Sequence, residues 1–316
     1  MFIVTSAKIR RSIQKQITEK YPELTFSFNE SIEEADPDLP EADIFITYGD
    51  DITEELIQKA ARLKWIMVLS AGVEDIPFEA LKEKNILVTN ARGIHKIPMA
   101  EYAIAMMIET IKNIKTWHEN ERVHRWERNV KMGEISGKTL AVLGAGAIGG
   151  EIARLGKAFH MKTLGLNRSG RPAEHFDEIY TNENINDCVS KADFVVAVLP
   201  YTEATDQLIG REQFRAMKNE AVFINIGRGK TVNQDELHDA LREEEIAHAV
   251  LDVFEEEPLP EDHPFWGMDQ VTVTPHFSAI TPQYQHRAFA IFEENLRIFL
   301  EGSSDYVNKI DYDRGY

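Results

Sequence analysis

The sequence predicts an α/β protein built on two parallel sheets, and three observations carry that reading. Short apolar runs alternate with polar, helix-compatible segments, the pattern of strands joined by crossover helices. The alternation occurs twice along the chain, with a long helical segment between the two series. The second series opens on a glycine-rich turn set between a strand and a helix. The 316 residues fit two domains at about 150 residues each. With 43% apolar and 28% charged residues there is enough apolar surface for two cores, which excludes global disorder.

In the first series the expected strands are residues 2–5, 24–28, 43–47, 65–70 and 86–89, with helical stretches such as 9–20 and 53–63 between them. Residues 98–114 read as a long helix. Met99, Ala103, Met106, Met107 and Ile111 recur at helical spacing, and Pro98 suits the first turn, where a missing N–H costs nothing. A polar stretch, 115–131, carries Trp117 and Trp126. The second series has expected strands at 139–143, 163–167, 194–199, 221–226, 249–253 and 271–274, with helices including 149–159 and 235–243. A last amphipathic helix covers 282–300. Residues 30–41 and 255–264, rich in proline and acids, read as flexible loops.

The charge balance, 53 acidic against 35 basic residues, is −18. Such a surface repels nucleic-acid phosphates and anionic lipid, so neither is expected as a partner. An anionic substrate would need local cations of its own. The one cysteine, Cys188, excludes a disulfide framework within the chain and a cysteine-based metal site; it reads as a small apolar filler, and no metal is expected. No apolar segment is long enough for a membrane span and the N-terminus lacks a signal-peptide pattern, so the expected location is the cytoplasm.

The strand Thr139-Leu140-Ala141-Val142-Leu143 leads into Gly144-Ala145-Gly146-Ala147-Ile148-Gly149 and then a helix. A lone GxGxxG is weak evidence, but strand–turn–helix is the context in which it binds a dinucleotide. Gly144 permits the tight turn, Gly146 lets a pyrophosphate approach the backbone, and Gly149 lets helix and strand pack closely. The helix N-terminus then meets the anion with free N–H groups. The acid that usually binds the 2′-hydroxyl of NAD is missing after the next strand, which ends in Asn167-Arg168-Ser169, 18 residues beyond Gly149. Arg168, with Ser169 and Arg171, can instead hold a 2′-phosphate. The expected cofactor is therefore NADP(H), with NAD(H) as the alternative.

Further on stand Asn225-Ile226-Gly227-Arg228-Gly229, then Leu251-Asp252-Val253-Phe254-Glu255-Glu256-Glu257-Pro258, then Thr274-Pro275-His276. With the glycine turn, and with Ser70-Ala71-Gly72-Val73 and Met99-Ala100-Glu101-Tyr102 in the first half, the chain resembles the D-2-hydroxyacid dehydrogenase family over nearly its whole length. The resemblance implies a catalytic set of Arg228, Glu257 and His276. It implies that the backbone at Ala71 and Gly72, together with Arg228, binds the substrate carboxylate. It places Ala147 and Ile148 over the pyrophosphate, Leu199, Pro200 and Thr205 in a cofactor-facing loop, and Ile226, Gly227 and Asp252 at the nicotinamide, with Asp252 binding its carboxamide.

The chemistry suits these roles. Reduction of a 2-keto acid needs a hydride donor, a cation for the carboxylate and an acid for the carbonyl oxygen. Arginine is a permanent, planar, bidentate cation. An imidazole exchanges a proton near neutrality, and a carboxylate beside it favours the imidazolium. The family departs from this sequence at Glu74 and Asp75, which add negative charge near the substrate loop and count against phosphoglycerate. Phe277-Ser278-Ala279 stands where many members have Ile-Gly-Gly.

The resemblance also implies the architecture. A Rossmann nucleotide domain, residues 99–286, is inserted into a flavodoxin-like substrate domain formed by 1–98 plus 287–316. It implies a homodimer as well, with 115–131 as an exchanged arm. Two functions stay open at this point: an NAD(P)-dependent reductase of small 2-keto acids of the glyoxylate and hydroxypyruvate type, and an NAD(P)-sensing binding protein of the same fold. A formate dehydrogenase is disfavoured, because His276 has no matching glutamine partner.

Overall fold

The computed structural model describes residues 1–73 and 76–312. The chain divides into two compact units, Met1–Ile94 with Thr281–Tyr316, and His95–Ile280.

The first unit begins β1 (Phe2–Thr5), α1 (Arg11–Lys20), β2 (Thr25–Phe28) and α2 (Ile32–Ala35). It continues β3 (Ile44–Thr47), α3 (Glu54–Lys59), β4 (Trp65–Val68), α4 (Phe78–Glu83) and β5 (Leu87–Asn90). Its strands pair in parallel in the order β2-β1-β3-β4-β5. β3 and β4 are buried along their whole length, which is why they read as unbroken apolar runs; the edge strand β2 is only partly covered. At the start of α3 the Thr53 hydroxyl accepts the Leu56 N–H at 3.1 Å, a cap worth about 1 kcal/mol.

Residues 30–41, expected to be a flexible loop, are ordered. Ser31 caps α2 by accepting the Glu34 N–H, and a 3-10 turn follows at Leu39–Glu41. Ala35 and Leu39 are fully buried while the acids face out. Four residues apart, they pin the segment to the core; composition concealed this because the polar residues outnumber the two anchors.

The second unit opens with α5 (Lys96–Ile111) and α6 (Ile114–Arg122). Asn113 breaks the expected continuous helix by taking the left-handed conformation, φ 52°. The chain then alternates through β6 (Thr139–Leu143), α7 (Ala147–Ala158), β7 (Lys162–Leu166), β8 (Glu178–Tyr180), α8 (Ile185–Val189) and β9 (Phe194–Ala197). It closes with α9 (Arg211–Ala216), β10 (Val222–Asn225), α10 (Gln234–Arg242), β11 (His248–Leu251) and β12 (Val271–Val273). These strands form a parallel sheet in the order β12-β11-β10-β9-β6-β7-β8. The order reverses between β6 and β9, the kind of switch point outside which open α/β sheets bind ligands at the strands' carboxyl ends.

α11 (Tyr284–Leu300) belongs to the first unit. Its Phe292 and Phe299 stack on Trp65 of β4, with ring centroids 5.3 and 5.5 Å apart. The Trp65 indole N–H donates to Thr89 Oγ1 at 2.9 Å, so this large side chain is buried with its polar atom satisfied.

Candidate active site

Because every strand of the second sheet runs the same way, the loops that follow β6, β7, β9, β10, β11 and β12 leave one edge. At the end of β6, Gly144 has φ 115°, and a Cβ there would come within 2.8 Å of the Val198 carbonyl oxygen. A Cβ at Gly149 would come within 2.1 Å of the Gly144 oxygen. Both positions need glycine, for the turn and for close helix–strand packing. A Cβ at Gly146 would meet nothing within 4 Å. That open space lies at the start of α7, where no side chain caps the helix and no acid stands in the first turn. The N–H groups of Ala147 and Ile148 have no intrahelical acceptor there. The cradle has the shape and polarity for a pyrophosphate.

At the end of β7, Asn167 builds the turn that follows. Its Oδ1 accepts the Ser169 N–H at 3.1 Å and the Ser169 hydroxyl at 3.3 Å, and its Nδ2 donates to the Arg171 carbonyl at 2.9 Å. Arg168 and Ser169 are exposed on this turn. Among the described residues Arg168 makes no ion pair. After β9, Leu199 is buried and Pro200 exposed. Thr205 folds that loop: its hydroxyl donates to the Pro200 carbonyl at 2.7 Å and accepts the Thr202 N–H at 2.8 Å.

After β10 the buried Asn225 shapes the next turn, accepting the Gly227 N–H at 3.1 Å and donating to the Arg228 carbonyl at 3.3 Å. Ile226 is buried, and Gly227 packs where a Cβ would sit 2.7 Å from the Leu199 carbonyl oxygen. The exposed Arg228 guanidinium donates to the Gly227 carbonyl at 2.9 Å and has no carboxylate partner among the described residues. Like Arg168 on the loop after β7, it is a cation without an ion pair among the described residues.

Glu257 follows β11 and His276 follows β12, and the structure brings them together: Nδ1 of His276 lies 2.7 Å from Oε2 of Glu257. The other carboxylate oxygen of Glu257 accepts the Phe254 N–H at 2.9 Å. The pair is partly open to solvent, 50% for the imidazole and 35% for the carboxylate. The structure records no bond from Arg228 to either residue; it sets the guanidinium at the end of the strand next to β11.

Asp252, fully buried, is committed to the His276 turn. Its Oδ1 accepts from Thr274 Oγ1 at 2.6 Å and from the Phe277 N–H at 3.0 Å, and its Oδ2 accepts the Ser278 N–H at 3.0 Å. One acceptor position on Oδ2 is left for a ligand. Asn225, Thr274 and Ser278 shape these turns: Asn225 bonds within its own motif, whereas Thr274 and Ser278 meet Asp252, more than twenty residues away, a pairing that no local pattern announces.

In the first unit, the loop after β4 carries Ala71, whose carbonyl accepts Asn90 Nδ2 at 2.6 Å, and the exposed Gly72. Among the described residues the N–H groups of Ala71 and Gly72 meet no acceptor. Glu74 and Asp75, the expected departure from the family pattern, lie outside the described residues. Cys188 is buried in the second unit, and burial pushes its thiol up to about 12, far from a nucleophile. No helix among the described residues is long and apolar enough to cross a membrane.

Comparison with known proteins agrees with this architecture. Residues 104–278 match the model of the D-isomer specific 2-hydroxyacid dehydrogenase, NAD binding domain. The chain is 35% identical over 291 residues to the D-3-phosphoglycerate dehydrogenase of Methanocaldococcus jannaschii, an alignment that covers 91% of this chain and 55% of that protein. It thus spans about half the length of that relative. It is 34% identical to the glyoxylate reductase of Aeropyrum pernix, over 83% of this chain and 81% of that one. A crystal structure of a D-isomer specific 2-hydroxyacid dehydrogenase family protein from Aeromonas salmonicida superposes with a TM-score of 0.86 at 32% identity, covering 99% of each chain.

Proposed function

The chain belongs to the D-isomer specific 2-hydroxyacid dehydrogenase family, oxidoreductases that use NAD(P), and from that premise we propose that it reduces a small 2-keto acid of the glyoxylate or hydroxypyruvate type to the D-2-hydroxy acid. The observation that carries the proposal is the His276–Glu257 pair at 2.7 Å, one strand away from the unpaired guanidinium of Arg228.

His95–Ile280 is the dinucleotide-binding unit and the remainder the substrate unit. Gly144, Gly146, Ala147, Ile148 and Gly149 hold the pyrophosphate, and Asn167, Arg168 and Ser169 the adenosine end. Leu199, Pro200 and Thr205 form a cofactor-facing loop with Gly227 beside it, and Ile226 and the remaining acceptor position of Asp252 border the nicotinamide. When bound, the reduced cofactor supplies the hydride. NADPH is the preferred form, because Arg168 is exposed and unpaired on a turn without an acid.

Arg228 binds and orients the substrate carboxylate. On the substrate unit, the backbone N–H groups of Ala71 and Gly72 are open to bind an anion. His276 delivers a proton to the oxygen on C2 through Nε2, the ring nitrogen that Glu257 leaves free. Glu257 fixes the ring orientation. The enzyme acts in the cytoplasm as a homodimer. Support for the latter is α6, which buries none of its residues, and the exposed Trp117 and Trp126, 41% and 92% accessible, in a charged arm.

Steady-state oxidation of NADPH and NADH against glyoxylate, hydroxypyruvate and a panel of larger 2-keto acids tests the proposal. Turnover is expected with the smallest substrates and at higher kcat/KM with NADPH. Tight dinucleotide binding without turnover of any keto acid would instead make the chain a nucleotide sensor.

A further inference from the structure

Beyond the residues assigned above, one buried polar side chain is directed at the turn that carries His276. Tyr102, on α5, is 8% exposed, and burial pushes its phenol up, so it remains protonated. Its hydroxyl lies 2.7 Å from Thr274 Oγ1. The direction of that bond follows from the next one. Thr274 has one hydroxyl proton, and 2.6 Å away it meets Asp252 Oδ1, a carboxylate that can only accept. Tyr102 therefore donates to Thr274, and Thr274 donates to Asp252.

Tyr102 makes a second contact on the far side of His276. The Phe277 ring meets the Tyr102 ring edge-on, with centroids 5.8 Å apart and planes at 85°. The one tyrosine thus holds the residue two before His276 and the residue just after it. His276 itself has φ 51°, a left-handed backbone that a residue with a side chain keeps only where its surroundings enforce it. Asp252 supplies part of that enforcement, its carbonyl accepting the His276 N–H at 2.9 Å and its carboxylate the Phe277 N–H at 3.0 Å.

We propose that Tyr102 is a positioning residue for proton transfer: from α5 it fixes the Thr274–Phe277 turn at both ends and so holds the His276 imidazole against Glu257. The proposal rests on the reading of His276 as the proton donor. Its test uses Tyr102→Phe, which deletes the hydroxyl and keeps the ring contact, measured alone and combined with His276→Gln. Single-turnover and steady-state rates of NADPH oxidation with glyoxylate are read beside the cofactor Kd and the thermal midpoint.

Tyr102→Phe is expected to lower kcat by about tenfold, the loss of one well-placed hydrogen bond, with cofactor Kd and glyoxylate KM within about twofold. In the His276→Gln background the same substitution should cost less than about twofold, because a residue that acts through His276 has nothing left to position. An equal cost in both backgrounds, or full activity of Tyr102→Phe while His276→Gln is inactive, overturns the positioning role and leaves the reading of His276 standing. Wild-type turnover in His276→Gln overturns that reading and the proposal with it. Thr274→Val cuts the same chain one bond nearer the turn and carries the identical comparison should Tyr102→Phe fail to fold.

Discussion

His276 and Glu257 meet at 2.7 Å from the ends of neighbouring parallel strands, and each oxygen of the Glu257 carboxylate is committed, one to the imidazole and one to the Phe254 N–H. A carboxylate tethered at both oxygens holds the ring in one orientation, with Nδ1 turned inward and Nε2 available. Nε2 is thereby the ring nitrogen placed to give up a proton to the substrate oxygen.

Glu257→Gln removes the charge and keeps the shape. The amide has one acceptor oxygen for two donors, the imidazole and the Phe254 N–H, so one of the two bonds is lost. The kcat of keto-acid reduction should then fall by about tenfold, with the cofactor Kd nearly unchanged. Initial rates with saturating cofactor, beside a dinucleotide titration, give the comparison. Wild-type kcat in Glu257→Gln would mean that the carboxylate does not hold the ring.

Arg228 has no anionic partner of its own among the described residues, and its backbone is held by Asn225 and Thr231. Arg228→Gln should therefore leave the turn and the cofactor Kd nearly unchanged while kcat/KM for the keto acid falls by about a hundredfold or more, the loss of a charge-assisted bidentate pair. Arg228→Lys should recover only part of this, since an ammonium cannot present the planar fork. Equal losses in cofactor affinity and in kcat/KM would place the guanidinium on the nucleotide instead.

The parts of the fold that could be read from the sequence are those where one local pattern has one physical cause. β3 and β4 are covered on both faces and appear as plain apolar runs; the glycine turn appears because Gly144 and Gly149 tolerate no side chain. β8 escaped because it is a three-residue edge strand, with Ile179 and Tyr180 its only apolar residues. α6 escaped because it buries nothing and so carries no apolar stripe. At the candidate site the motifs drew attention to His276, Glu257 and Arg228. The commitment of Asp252 to the backbone of Phe277 and Ser278, some 25 residues on, is a tertiary fact with no local signature.

His248 gives a stability test that does not depend on activity. Burial, helped by the Lys115 ammonium, lowers its pKa from 6.5 to about 4, and its Nε2 lies 2.9 Å from Thr272 Oγ1. The unfolded chain takes up this proton first. The neutral histidine therefore contributes its full share above about pH 6.5, and that share is lost as the pH falls towards 4. Between about pH 7 and 4.5 the wild type should lose about 2 kcal/mol more than His248→Gln, as measured by urea unfolding at each pH. Parallel curves for the two proteins would show that His248 is charged in the folded state.

The choice of cofactor turns on the loop after β7. Asn167 removes the carboxylate that would repel a 2′-phosphate, and its side chain is spent on shaping the turn through Ser169 and Arg171. That leaves Arg168, exposed and without an ion pair among the described residues, as the group able to meet the phosphate. A charge-assisted hydrogen bond is worth roughly 1.5–3 kcal/mol before solvent exposure is discounted, and about 1.4 kcal/mol is a factor of ten. Wild-type kcat/KM should therefore favour NADPH by about tenfold or more at low salt, and by less at high salt, where the exposed charge is screened. Arg168→Ala should remove most of the preference. Adding Asn167→Asp should turn it towards NADH, because the new carboxylate can still accept from Ser169 while it binds a 2′-hydroxyl and repels a 2′-phosphate. The reversal should come with some loss of stability, since aspartate cannot donate to the Arg171 carbonyl as Asn167 Nδ2 does. Paired kcat/KM measurements for both cofactors at two salt concentrations check each step, and a wild-type preference for NADH would mean that Arg168 serves the solvent alone.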